Sequence, residues 1–131
     1  MKKTLVFLGI LILALSLTSC LGPAKVNATV KINWDDRSYY TDDSTYYLAY
    51  VVGTFSTTLD NIPKEGVTNL KEITPDESEY SIEVSVPAGG NATVFVYQDK
   101  DGDKKYSDDD QAFDSEWVNP DDTSIDLDVY Y

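Results

Sequence analysis

Residues 99–110 read Asp99-Lys100-Asp101-Gly102-Asp103-Lys104-Lys105-Tyr106-Ser107-Asp108-Asp109-Asp110. Alternating carboxylates on a tight loop can turn several oxygens toward one point, which suits a hard divalent cation. Calcium takes six to eight oxygen ligands from carboxylates, carbonyls, hydroxyls and water. Gly102 permits the sharp backbone path such a loop needs. The spacing assigns Asp99, Asp101 and Asp103 as side-chain ligands, Lys105 as a ligand through its carbonyl, Ser107 through its hydroxyl or a held water, and Asp110 as a late bidentate ligand. A solvated acidic turn that keeps a sheet edge soluble is the competing explanation of the same residues.

The elements that must position this loop are strands. Val26, Ala28, Val30, Ile32 and Trp34 alternate with polar residues, as do Tyr80, Ile82, Val84 and Val86, and later Ile125, Leu127 and Val129. Period-two alternation is the pattern of a strand with one buried face. Residues 46–58 are rich in β-branched and aromatic side chains, and 92–98 are apolar on both faces, which predicts a central strand leading directly into the acidic loop. Weaker strands are expected at 67–73 and 112–117, and the last at about 123–130. Turn signals separate them: Asp35-Asp36, Asp60-Asn61-Ile62-Pro63, Thr74-Pro75-Asp76, Pro87-Ala88-Gly89-Gly90 and Asn119-Pro120-Asp121-Asp122. Seven short strands predict an all-β, Ig-like or transthyretin-like sandwich of antiparallel strands.

The chain has 131 residues, 23 acids against 10 cations, no histidine and a formal charge of −13. That charge argues against nucleic acid, whose phosphates require clustered cations. Absence of histidine removes the commonest general base and the usual zinc and iron ligand sets. Asp108, Asp109, Asp110 and Asp114 could supply an acid and a base for glycosidic hydrolysis, but no carboxyl is set apart in an apolar segment. The expectation is a protein that is not an enzyme and has no catalytic residues.

The 99–110 loop resembles calcium loops of the type Asp-x-Asp-x-Asp-Gly. It departs at the sixth position, normally Gly and here Lys104, and at the ninth, often acidic and here Ser107. The helix-loop-helix version requires flanking helices, whereas Thr93-Val94-Phe95-Val96-Tyr97 before the loop is strand-like. The stretch from Tyr80 to Val86, closed by Pro87-Ala88-Gly89, then the acidic loop with Tyr106, then Ile125-Asp126-Leu127, resembles exported bacterial domains of the transthyretin-like, carboxypeptidase-regulatory-like type. That resemblance implies an envelope accessory module without catalysis.

At the N-terminus, Lys2 and Lys3 precede an apolar run from Leu5 to Leu17, followed by Thr18-Ser19-Cys20. The run is shorter than the roughly 20 residues of a spanning helix and reads as a secretory signal. Leu17-Thr18-Ser19-Cys20 resembles the bacterial lipobox, and the chain's single cysteine stands at its conserved place. The resemblance implies a signal peptide at 1–19, a diacylated Cys20 (palmitate-type chains) and a tether at 20–24. The β-sandwich is expected at 25–131. It also implies a cell-envelope location outside the cytoplasm, on the outer membrane where there are two, because Leu21 replaces the Asp of inner-membrane retention. Cleavage removes Lys2 and Lys3 and takes the net charge to −15.

A second cluster is aromatic: Trp34, Tyr39, Tyr40, Tyr46, Tyr47 and Tyr50. Exposed on a sheet, such rings stack on sugars, so a glycan-binding surface is the alternative function. Buried, they fill a sandwich core. The expected partners are a membrane, through the lipid anchor, and an envelope protein or glycan.

Overall fold

The computed structural model describes residues 22–35, 44–122 and 124–129. Seven strands follow in order: β1 (Ala24–Trp34), β2 (Thr45–Val52), β3 (Thr68–Ile73), β4 (Glu79–Val86), β5 (Ala92–Asp99), β6 (Gln111–Val118) and β7 (Ser124–Val129). The expected strands are all present, and among the described residues there is no helix. Two sheets form, β4-β1-β7 and β3-β2-β5-β6. The chain is an all-β sandwich.

The strict alternation of β1, β4 and β7 puts one face of the first sheet in the core and the other in water. Val30, Ile32, Val84, Ile125 and Leu127 meet Leu48, Val94, Val96 and Phe113 of the second sheet. Four of the five strand pairings are antiparallel, as expected. The exception is β1 with β7, which run parallel from Thr29↔Ser124 to Trp34↔Val129. β6 and β7, consecutive in the chain, lie in different sheets, so β7 pairs with β1 instead of with its predecessor. Local pattern carries no information about that partner.

The 46–58 segment is shorter as a strand than its composition predicts. β2 stops at Val52 because Gly53 has φ +116°, a conformation open to glycine. Residues 53–67 then run across the outer face of the second sheet. Phe55, Ile62 and Val67 cover Tyr47, Ala49, Val51, Phe95 and Tyr97, giving a second core. Polar pairs secure this cover. Phe55 N–H donates to Thr93 Oγ1 at 3.0 Å, whose hydroxyl donates to the Gly53 carbonyl at 2.8 Å. The Trp117 indole N–H donates to the Phe55 carbonyl, and Thr57 N–H to Ser115 Oγ. β5, buried along all eight residues, is the central strand its sequence predicts.

The ends of the sandwich differ. Ala24 pairs with Val86, and the 87–91 turn leads from there to Ala92, so the start of β1 and the start of β5 share one end. Eight residues at about 3.3 Å each place Asp99 roughly 25 Å away, at the opposite pole.

Candidate metal-binding loop

The alternation that sends Phe95 and Tyr97 to the outer face of β5 sends Asp99 there too. Its side chain is 4% exposed, the deepest of the described carboxylates. A buried carboxylate must be hydrogen-bonded or paired. Asp99 Oδ1 accepts from Gly102 N–H at 2.8 Å and Oδ2 from Lys104 N–H at 3.0 Å. Asp101 Oδ1 accepts from Asp103 N–H at 3.0 Å, and Asp103 Oδ1 from Lys105 N–H at 2.7 Å. Each acid thus caps the backbone two to five residues on, the local turn chemistry of Asp. The turns wind the loop tightly enough that carboxylate oxygens of Asp99, Asp101 and Asp103 all lie within 4.8 Å of one another.

Two left-handed residues make the winding possible, Gly102 at φ +77° and Lys104 at φ +63°. The second is the position where the resembling calcium loops carry glycine. The backbone therefore takes the glycine path with a lysine in place, at the energetic cost a Cβ carries in this region.

Asp110 has a different post from its three partners. Its Oδ1 accepts from Lys100 N–H at 2.9 Å and its Oδ2 from Ser107 N–H at 2.8 Å, so it ties the loop's beginning to its end. Coordinating a metal through both oxygens would compete with these bonds. Ser107 is half-buried, and its Oγ accepts from Asp109 N–H at 3.2 Å. Lys105 is engaged through its N–H to Asp103.

Three residues outside the acidic pattern hold the loop to the sandwich. Tyr106 is buried against Phe95 and Tyr97, with ring centroids 5.1 and 5.2 Å apart. Asn69 of β3 donates to the Lys104 carbonyl at 2.8 Å and accepts from the Tyr97 hydroxyl at 2.9 Å. Lys64 lies over the Tyr106 ring, 4.0 Å from its centroid, and 3.7 Å from Asp108. Only Tyr106 had a signal in the sequence, as an aromatic in a polar loop. Asn69 and Lys64 are remote in sequence and become neighbours through the fold. Burial, and then the charges of Asp99 and Asp110, push the Tyr97 hydroxyl up to about 12. Burial and the charges of Glu72 and Asp99 raise Tyr47 as well.

The aromatic cluster is divided. Tyr46 and Tyr47 are buried, on the inner and outer faces of the second sheet. Trp34 is partly buried and edge-on to Tyr46 at 5.4 Å, and Tyr50 packs against the main core. Tyr39, Tyr40 and the lipobox Cys20 lie outside the described residues. No protein-family model, curated protein or solved structure matches this chain.

Proposed function

We propose that this protein is a lipid-anchored, extracytoplasmic module of the bacterial envelope that binds calcium through the 99–110 loop and is not an enzyme. The observation that carries the calcium reading is the convergence of Asp99, Asp101 and Asp103, with Lys104 in the left-handed conformation of the matching glycine. Three carboxylates, the Lys105 carbonyl, the Ser107 hydroxyl and water would make up a calcium shell. The loop's place also supports a transthyretin-like relationship, since β4 ends in the 87–91 turn and β5 runs straight into the acidic loop.

An anchor at Cys20 would hold the tether end of the sandwich toward the lipid and present the loop at the far pole. There it faces the medium or another envelope component, the position of an interaction surface whose shape depends on calcium. The burial of Tyr46 and Tyr47 leaves neither ring open to a sugar, so the loop is favoured over the aromatic cluster as the functional feature.

Thermal melting of a soluble chain beginning at residue 22 tests this. Extracellular calcium modules bind with dissociation constants of roughly 10⁻⁴–10⁻³ M, so about 10 mM calcium should stabilise by about 1.4–2.7 kcal/mol. The melting temperature should rise by several degrees, and Asp101→Ala with Asp103→Ala should abolish the rise. An unchanged melting temperature in calcium and in chelator overturns the calcium reading.

A further inference from the structure

The 99–110 loop also builds a hollow of opposite charge. Lys64, Lys104 and Lys105, with Val67, Asn69 and Tyr106, line a concavity of about 380 Å³, and among the described residues no carboxylate lines it. From Cys20 onward the chain has eight cations against 23 acids, and three of the eight meet here. Chance pairing would send these lysines to the surrounding aspartates. Instead Lys104 and Lys105 form no ion pair among the described residues, and Lys64 reaches Asp108 only at 3.7 Å.

Around Lys104 and Lys105 the hollow is held in shape by contacts that do not involve their ammonium groups. Asn69 grips the Lys104 carbonyl and is itself held by the Tyr97 hydroxyl. The left-handed turn at Lys104 sets the directions in which residues 104 and 105 project. Tyr106, wedged against Phe95 and Tyr97, forms a floor. In a strongly negative protein, anions are repelled at long range, but charges beyond about 10 Å are largely screened at 0.1 M salt. The acids of the same loop lie nearer than that, with Asp99 and Asp103 bonded to the Lys104 and Lys105 N–H groups and Asp108 3.7 Å from Lys64, but among the described residues none of them lines the hollow, so a ligand in it touches lysines and not carboxylates.

We propose that this hollow is a binding site for an oxyanion, the carboxylate or phosphate group of a small ligand. The lysines supply the charge, and the Asn69 and Tyr106 scaffold fixes the backbone from which Lys104 and Lys105 project. The anion would be held by lysine side chains, whereas the proposed calcium shell takes the Lys105 carbonyl, so the two ligands do not compete for an atom.

Titration of the ¹⁵N-labelled full chain in neutral detergent and calcium-free buffer, at constant ionic strength, tests it. Sodium acetate, sodium phosphate and uncharged glucose are the probes, read at the Lys104 and Lys105 amides and the Asn69 side-chain amide. Acetate or phosphate should give saturable shifts that glucose does not. The anion with the lower half-saturation identifies the group preferred. Lys104→Gln and Lys105→Gln should each raise that half-saturation about two- to fivefold, the range of exposed ion pairs. Lys25→Gln, on the other sheet and paired with Glu83, should leave it unchanged. Shifts that never saturate with either anion, or equal half-saturation in all three variants, overturn the proposal.

Discussion

Exchanging glycine for a side chain at one left-handed position of the loop, and a side chain for glycine at the other, should move stability in opposite directions. Gly102 has φ +77°, and a Cβ built on it meets no atom within 4 Å, so Gly102→Ala carries a backbone cost without a steric clash. The left-handed region costs a non-glycine residue about 1–2 kcal/mol. Reduced freedom of the unfolded chain returns about 0.4–1 kcal/mol, leaving a net loss near 1 kcal/mol. Lys104, at φ +63°, already bears that cost, so Lys104→Gly should gain a similar amount. Its N–H bond to Asp99 and its carbonyl bond from Asn69 are backbone bonds that glycine keeps, and its ammonium is in no ion pair among the described residues. For a domain of this length, about 1 kcal/mol corresponds to roughly 4 °C in melting temperature. Far-ultraviolet circular dichroism melts in chelator should show Gly102→Ala below and Lys104→Gly above the parent chain. In calcium the Lys104→Gly gain should widen, because a cation beside the proposed ligands has also been removed. Both variants melting lower would refute the argument that Lys104 is strained, and with it the equivalence of this loop to the glycine-bearing ones.

The Tyr97 hydroxyl, pushed up to about 12, predicts a particular alkaline behaviour. Its folded value lies above the ordinary 10, so its contribution is fully present below pH 10 and is lost as pH rises from 10 to 12. Urea unfolding across that window should fall less steeply for Tyr97→Phe than for the parent, and identical slopes would exclude Tyr97 as the cause. Ile62, the residue by which the 53–67 cover is buried in the second core, should cost about 2–4 kcal/mol as Ile62→Ala. Limited proteolysis should then cut first within 53–67, and first cleavage elsewhere would show that the cover does not depend on this side chain.

Much of the sandwich was legible because its strands have different faces. β1, β4 and β7 alternate strictly, so their burial follows from period two alone. β5 was legible as central because both of its faces are apolar. The end of β2 was less so. Residues 53–58 have strand-like composition, but Gly53 turns the chain over the sheet, and the apolar residues beyond it are needed to cover Tyr47, Phe95 and Tyr97. Composition registers the need for burial without saying whether a strand or a crossing loop meets it.

The acidic loop divides in the same way. Its sequence determined that carboxylates would be dense after β5, that Asp side chains would cap nearby N–H groups, and that Gly102 would turn the chain, since these are interactions over two to five residues. Only the tertiary structure decided that Asp99 is buried beside Tyr97, that Asp110 clasps the loop's two ends, and that Asn69 and Lys64 meet it from β3 and the 53–67 cover. Those relations depend on which strands become neighbours, a choice set by burying two apolar faces at once and therefore by the whole chain. The net charge of −13 is read from composition; its separation into a carboxylate cluster and a lysine-lined hollow beside it is a property of the fold.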